Sequence, residues 1–235
     1  MPHLISLTGM RDADIRQVLR QQLDRNFKND DATFIIEELG LCRGTVRVDI
    51  AVVNGALKGY EIKSDRDTLT RLSAQAATYS RIFDTMTVVV AERHLSMAQA
   101  LVPVWWGIQM AVAPDASTPL LITPIRHEIA NPSVDPGSLV QLLWRDEVLV
   151  LLEQVGASSS LKSKPRRVLW EALARTVPLS KLQDMVRACL RSRSRWRVDE
   201  LRRQGDETSQ LCAMLSDSPC RRVLPRSRRY SYRPS

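Results

Sequence analysis

Long apolar runs are missing from this 235-residue chain. No stretch reaches the roughly 18–20 residues that a membrane-spanning helix needs. The first residues (MPHLISLTGMRDADIRQ) lack the basic segment and apolar core of a secretory signal. These two absences predict a soluble, cytoplasmic protein with no membrane partner. Cysteine is scarce: Cys42, Cys189, Cys212 and Cys220 form no CxxC pair, and no histidine stands at zinc-ligand spacing from them. That excludes the usual zinc modules and argues against a disulfide framework, so reduced thiols are expected. Aromatic residues are few, at 5%, whereas hydrophobic residues reach 44%, enough for a sizeable core. No internal repeat is visible.

Charge is present in excess of one sign and unevenly placed. The net charge is +8. Residues 1–113 carry 13 Lys/Arg against 13 Asp/Glu, and residues 114–235 carry 21 against 13, so the whole excess lies in the second half. Such a balance suits a polyanionic partner, nucleic acid above all.

Apolar periodicity predicts a helix over 12–26, with Ile15, Val18, Leu19 and Leu23 on one face and Asp12 or Asp14 at its start. Three β-type runs follow at 33–39, 45–53 and 57–63, the last two joined at Asn54-Gly55, a hairpin signal. A helix over about 67–83 is predicted from Leu69, Leu72, Ala76, Tyr79 and Phe83, with Asp67 as its cap. A buried strand at 87–91, a short helix near 96–101 and a strand at 104–113 come next. Prolines 114, 119, 124, 132 and 136 predict edge strands or a loop. A domain boundary is placed near Asn131. Helices are expected at about 138–155, 164–175 and 180–203, and an Arg-rich, disordered tail from 205 onward. The order αβββαβ gives an α/β fold with a mixed sheet, followed by a small helical region. The expected domains are therefore 1–130, 131–204 and 205–235.

The run from Asp49 to Lys63 (DIAVVNGALKGYEIK) carries the chemistry. Phosphodiester hydrolysis requires an activated water and neutralisation of charge on the phosphate. Two carboxylates, Asp49 and Glu61, suit Mg²⁺, or Mn²⁺ in its place, as hard oxygen ligands. A lysine beside them, Lys63, can orient the water and counter developing negative charge. Two residues apart on a strand, Glu61 and Lys63 share a face about 6.6 Å apart along the chain. A two-residue turn at Asn54-Gly55 would set Asp49 opposite Tyr60 and split the acids between faces. A three-residue loop, 54–56, pairs Val53 with Leu57 and Asp49 with Glu61. Only that register assembles the site, and it is the one predicted.

The stretch VRVDIAVVN…YEIKSD followed by RLSAQAATY resembles the PD-(D/E)XK nuclease superfamily. It is most similar to a branch of small bacterial proteins carrying EIKSDxDTLxRLxxQ and a later PxWWGI. Val48 stands where the superfamily has proline. The resemblance covers roughly residues 12–113 and implies a restriction-endonuclease-like core and metal-dependent hydrolysis of DNA. It implies metal ligation by Asp49, Glu61 and the Ile62 carbonyl, with Lys63 positioning the water. Gln75 and Tyr79 match the QxxxY element of RecB-like and Cas4-like exonucleases, four residues apart on one helix face. A further upstream acid is implied, Glu38 or Glu37, with Glu38 favoured.

Plainer roles compete with these. Asp49 could pair with Arg47 or Lys63 as a structural ion pair, and Glu61–Lys63 could face solvent on an edge. Trp105 and Trp106 are expected on opposite sides of a strand, at least one of them in the core. His94 and His127 are assigned no role. Asp65 and Arg66 follow the catalytic strand and are candidate substrate contacts. Arginines 187, 191, 193, 195 and 197 around Trp196 could hold phosphates, or simply solvate a helix. The same fold could also belong to a non-catalytic nucleic-acid-binding or regulatory protein.

Overall fold

A computed structural model describes residues 9–113, 118–157 and 161–205, the last without the side chains of 194–205. The chain divides into two compact units, Met1–Leu142 and Leu143–Ser235. The first is an α/β unit, as the patterning predicts.

Its sheet has six strands in sequential order, β1 (Phe34–Leu41), β2 (Val46–Val53), β3 (Leu57–Lys63), β4 (Thr85–Ala91), β5 (Gly107–Val112) and β6 (Leu121–Arg126). The first three form an antiparallel meander, β3–β4–β5 run parallel, and β6 returns antiparallel as the far edge. The parallel steps need crossovers. Helices α2 (Leu72–Tyr79) and α3 (Leu95–Leu101) lie within them.

Helix α1 (Asp12–Asn26) covers one face. Ile15, Leu19 and Leu23 are buried there against Ile50, Val52, Tyr60, Ile62, Val89 and Ile122. The backbone N–H of Arg11, its N-cap, donates to Asp14 Oδ2 at 3.0 Å, so Asp14 closes the first turn from inside. Met10, just before the helix, exchanges two bonds with Asp65 after β3: its N–H donates to Oδ2 at 2.8 Å, and its carbonyl accepts from the Asp65 N–H at 3.1 Å. Gly9 permits this approach, since a Cβ there would lie 2.7 Å from that of Asp65. The start of α1 is thereby pinned to the end of β3.

Several boundaries differ from expectation. The second helix is only Leu72–Tyr79. Asp67 does not cap it; its carboxylate accepts from Ser64 N–H and Oγ at 2.8 and 2.6 Å, tightening the turn after β3 instead. Trp105 and Trp106 precede β5 and are both buried, packed edge to face, so neither sits on a strand or faces solvent. The expected boundary at Asn131 falls inside the first unit. The Asn131 side chain donates to the carbonyls of Ser80 and Phe83 at 2.7 and 2.8 Å, and its N–H to that of Asp84. This ties the strand-free segment to the α2–β4 connection, and the short helix α4 (Pro136–Leu139) completes the unit.

In the second unit the predicted long helix starts later, as α5 (Arg145–Gln154), followed by α6 (Arg166–Thr176) and α7 (Leu179–Gly205). Leu182, Val186, Cys189 and Leu190 of α7 are buried, as the periodicity predicts. Arg193 is ion-paired with the Glu147 carboxylate and lies over the Trp144 ring, 4.0 Å from its centroid. The tail beyond Gly205, and the side chains of Arg195, Trp196 and Arg197, lie outside the described residues.

Candidate metal and carboxylate site

The β2–β3 hairpin pairs Val53 with Leu57, so the connecting loop is 54–56, three residues long. Asn54 stabilises it by accepting the Ala56 N–H on its side chain at 3.0 Å. Regular pairing continues to Ile50–Tyr60 and stops there. One step further the same register sets Asp49 against Glu61, and there the Asp49 side chain replaces a ladder bond. Its Oδ2 accepts the Ile62 N–H at 2.7 Å.

Glu61 is 2% exposed and Lys63 5%. Around the Glu61 carboxylate, Lys63 Nζ and Gln75 Nε2 each donate to Oε1 at 2.6 Å, and the Tyr79 hydroxyl lies 2.8 Å from Oε2. The same hydroxyl is 2.8 Å from the Arg47 carbonyl and accepts from Gln75 Nε2 at 3.3 Å. Its single proton serves one acceptor at a time. The QxxxY spacing on α2 thus aims both side chains at one carboxylate. Tyr79 is held by stacking on Trp106, at 6.1 Å and 16°, and by the Phe83 edge at 6.0 Å. Trp106 therefore supports the site from beneath.

Burial raises the pKa of Glu61 above the carboxylate range, and the charge of Asp49 pushes it further. Burial likewise raises that of Asp49, against the opposing bonds from Ile62 and Arg16. Tyr79 is held neutral by burial and by Glu61. Two acids are thus brought close together in a poorly solvated place, which favours any cation that can reach them.

Arg16 is the residue that sequence reasoning missed. Its Nη2 lies 2.8 Å from Asp49 Oδ1 and 3.1 Å from Glu38 Oε1, its Nε donates to Asp12 at 3.1 Å, and its Nη1 to the Asp49 carbonyl at 3.0 Å. Asp49 therefore pairs with neither Arg47 nor Lys63. The one available signal was position: Arg16 adjoins the buried Ile15 on a helix whose next turns face the sheet. Glu38 stands in β1 opposite Asp49 but is left out of the ladder, with φ at +54°. Its carboxylate is bonded to Arg16 and, at 3.4 Å, to Arg47. Glu37 pairs with Arg20 at 3.2 Å, away from the site. Asp65 is engaged with Met10, as described above.

Mg²⁺ takes oxygen ligands, commonly one or two carboxylates with the remainder water. Asp49, Glu61 and the Ile62 carbonyl fit that chemistry in kind. The buried Gln75 Oε1, on the amide bonded to Glu61, has no hydrogen-bond partner and could accept from a hydrated cation. Among the described residues, no group of three or more His, Cys, Asp or Glu is placed to hold a metal. The candidate ligands are thus two carboxylates, Asp49 and Glu61, while the Glu38 carboxylate is taken up by Arg16 and Arg47.

Fold and site together define a mixed-sheet α/β protein with buried Glu61 and Lys63 beside a half-buried Asp49 at the open end of a hairpin. Over residues 8–212 the chain matches the family described as Bacteriophage P4 protein cII, and it belongs to that family. Protein cII of Enterobacteria phage P4 is 27% identical over 184 residues, covering 78% of this chain and 68% of that protein. A solved protein of unknown function from Silicibacter pomeroyi superposes with a TM-score of 0.37 at 19% identity, over 64% of this chain and 94% of that one. The family match runs through both units. Among the described residues no helix is long and apolar enough to cross a membrane.

Proposed function

We propose that this protein is a metal-dependent nuclease acting on DNA. The reading rests chiefly on the convergence of Asp49, Glu61 and Lys63 from adjacent strands, with Gln75 and Tyr79 locked onto Glu61. Setting a buried acid, Glu61, beside a half-buried one, Asp49, costs stability unless cations offset it. Such an expense is typical of catalytic centres.

In this reading Asp49, Glu61 and the Ile62 carbonyl hold Mg²⁺ or Mn²⁺. A divalent cation supplies polarisation of a phosphoryl oxygen and a lowered pKa for a bound water. Lys63 Nζ, 2.6 Å from Glu61 Oε1, orients the attacking water and offsets charge on the phosphate. Gln75 and Tyr79 fix the orientation of the Glu61 carboxylate, which would hold it ready for a cation. The basic second half of the chain holds the polyanion.

A second reading has one observation in its favour. Arg16 and Lys63 already neutralise both acids without a metal, as a purely structural network in a nucleic-acid-binding or regulatory protein would. A cleavage panel on linear, circular, nicked and single-stranded DNA, with Mg²⁺ and with Mn²⁺, separates the two. Cleavage is expected, and Asp49→Asn, Glu61→Gln and Lys63→Ala should each lower it about a hundredfold or more. Metal-dependent cleavage that survives all three substitutions would reject the site, and no cleavage of any substrate would leave the binding protein.

A further inference from the structure

The guanidinium of Arg16 lies among more negative charge than it can balance. Asp12, Glu38 and Asp49 all bond to it, with Arg47 reaching Glu38 alone at 3.4 Å, so three carboxylates share two cations, and the Arg16 side chain is 19% exposed. Of the three acids, only Asp49 belongs to the candidate metal site; its side chain is 18% exposed, against 42% for Asp12 and 46% for Glu38. The helix that carries Arg16 is fixed at both levels. Ile15 and Leu19 anchor it to the sheet, and Met10 and Asp65 tie its start to the end of β3. Arg16 is therefore held where it can release one carboxylate and keep two.

We propose that Arg16 is a built-in counter-ion for Asp49, which a divalent cation displaces onto Asp12 and Glu38, so that Arg16 sets how tightly the protein binds that cation. The inference rests on the metal-site reading above. Physically it is a competition between two cations for one carboxylate. The arginine is covalently local and always charged, so it keeps Asp49 neutralised whenever the metal concentration is low. Glu38 and Asp12 lower the cost of letting go, because the displaced guanidinium still has two anions to bond. The left-handed backbone of Glu38, φ +54°, fits this role: it takes that residue out of the strand ladder at the position facing Asp49.

The test is Mn²⁺ binding to the full-length protein, by calorimetric titration and by the electron paramagnetic signal of free Mn²⁺, with thermal unfolding in EDTA alongside. Arg16→Met should bind Mn²⁺ at least about tenfold more tightly than the parent, because close charge pairs are coupled by more than that factor. It should also melt earlier in EDTA and gain more from added Mn²⁺. Glu38→Gln should do the reverse and weaken Mn²⁺ binding, since Arg16 then leans harder on Asp49. In the Arg16→Met background, Glu38→Gln should change nothing.

Equal or weaker binding by folded Arg16→Met would overturn the proposal and leave Arg16 as a prop that positions Asp49. A loss from Glu38→Gln that persists in the double variant would make Glu38 a direct ligand and overturn the displacement. If Arg16→Met does not fold, Arg16→Lys decides by the same criteria, because a lysine cannot span three carboxylates. Mn²⁺ binding by neither parent nor variant would sink the metal site itself, and this proposal with it.

Discussion

Tyr79 concentrates several roles in one hydroxyl. Tyr79→Phe keeps the stacking on Trp106 but removes the donor shared by Glu61 and the Arg47 carbonyl. A buried acceptor left short of a partner costs about 1–3 kcal/mol, and chemical denaturation should show a loss of that size. The two raised carboxyls give a pH signature. An acid whose folded pKa lies above its unfolded value stabilises the fold fully below the unfolded value, about 4. That contribution is lost as pH rises through the folded pKa. Without metal, the protein should therefore lose stability as pH climbs from about 4 toward neutrality. Melting in EDTA across that range checks it, and Glu61→Gln should flatten the decline. Asp135 runs the opposite way, its pKa lowered, against the cost of burial, by bonds from Ser138 and Arg81. Its contribution is lost only at more acid pH, so the two effects separate.

At the scale of elements, α1 does two jobs. Leu19, 1% exposed, belongs to its sheet-facing stripe. Leu19→Ala should cost about 2–5 kcal/mol through the cavity it leaves, measurable by denaturant unfolding. This helix was legible in the sequence because its apolar spacing is regular. So was β3, with its boundaries, and so was the three-residue loop, since only that register puts Asp49 and Glu61 in one row. Sequence reasoning also put Gln75 and Tyr79 on one helix face, where both reach Glu61. What it could not supply were the contacts between distant elements. The Arg16–Asp49 pair is 33 residues apart and depends on where α1 crosses the sheet. Asn131 looked like a boundary because prolines surround it, yet its amide satisfies two carbonyls of the α2–β4 connection. Asp67 looked like a cap from its spacing, but Ser64 offers a nearer pair of donors. The Trp105-Trp106 pair read as strand by hydrophobicity, but the ladder begins only at Gly107. A Cβ at that glycine would lie 2.7 Å from Thr87 Oγ1 on β4.

Charge divides along the chain at the scale of the whole molecule. Residues 1–142 hold 14 Lys/Arg against 16 Asp/Glu, a net of −2, and residues 143–235 hold 20 against 10, a net of +10. Under the proposed DNA-acting reading, the unit with the candidate site would be slightly repelled by the polyanion, and the other would supply the attraction. Replacing Arg221, Arg222, Arg226, Arg228, Arg229 and Arg233 by Gln should weaken DNA binding and flatten its salt dependence. A slope change of up to about 5 in log K against log salt is expected, at roughly 0.9 for each lost phosphate contact. An unchanged slope would place the contacts elsewhere.

The sequential strand order has a kinetic consequence. Every ladder joins neighbours in the chain, the widest closing at Lys58–Thr85, so the sheet can grow outward with short loop closures. Helix α1 is the exception, because it packs across the sheet from Ile50 and Val52 to Ile122, the last about a hundred residues downstream. It should dock late, after the transition state has formed. Trimming Ile15 to Val should then speed unfolding while leaving the refolding rate almost untouched. Asp49 would take its place on the nascent sheet, beside Glu61 and Lys63, before Arg16 arrives.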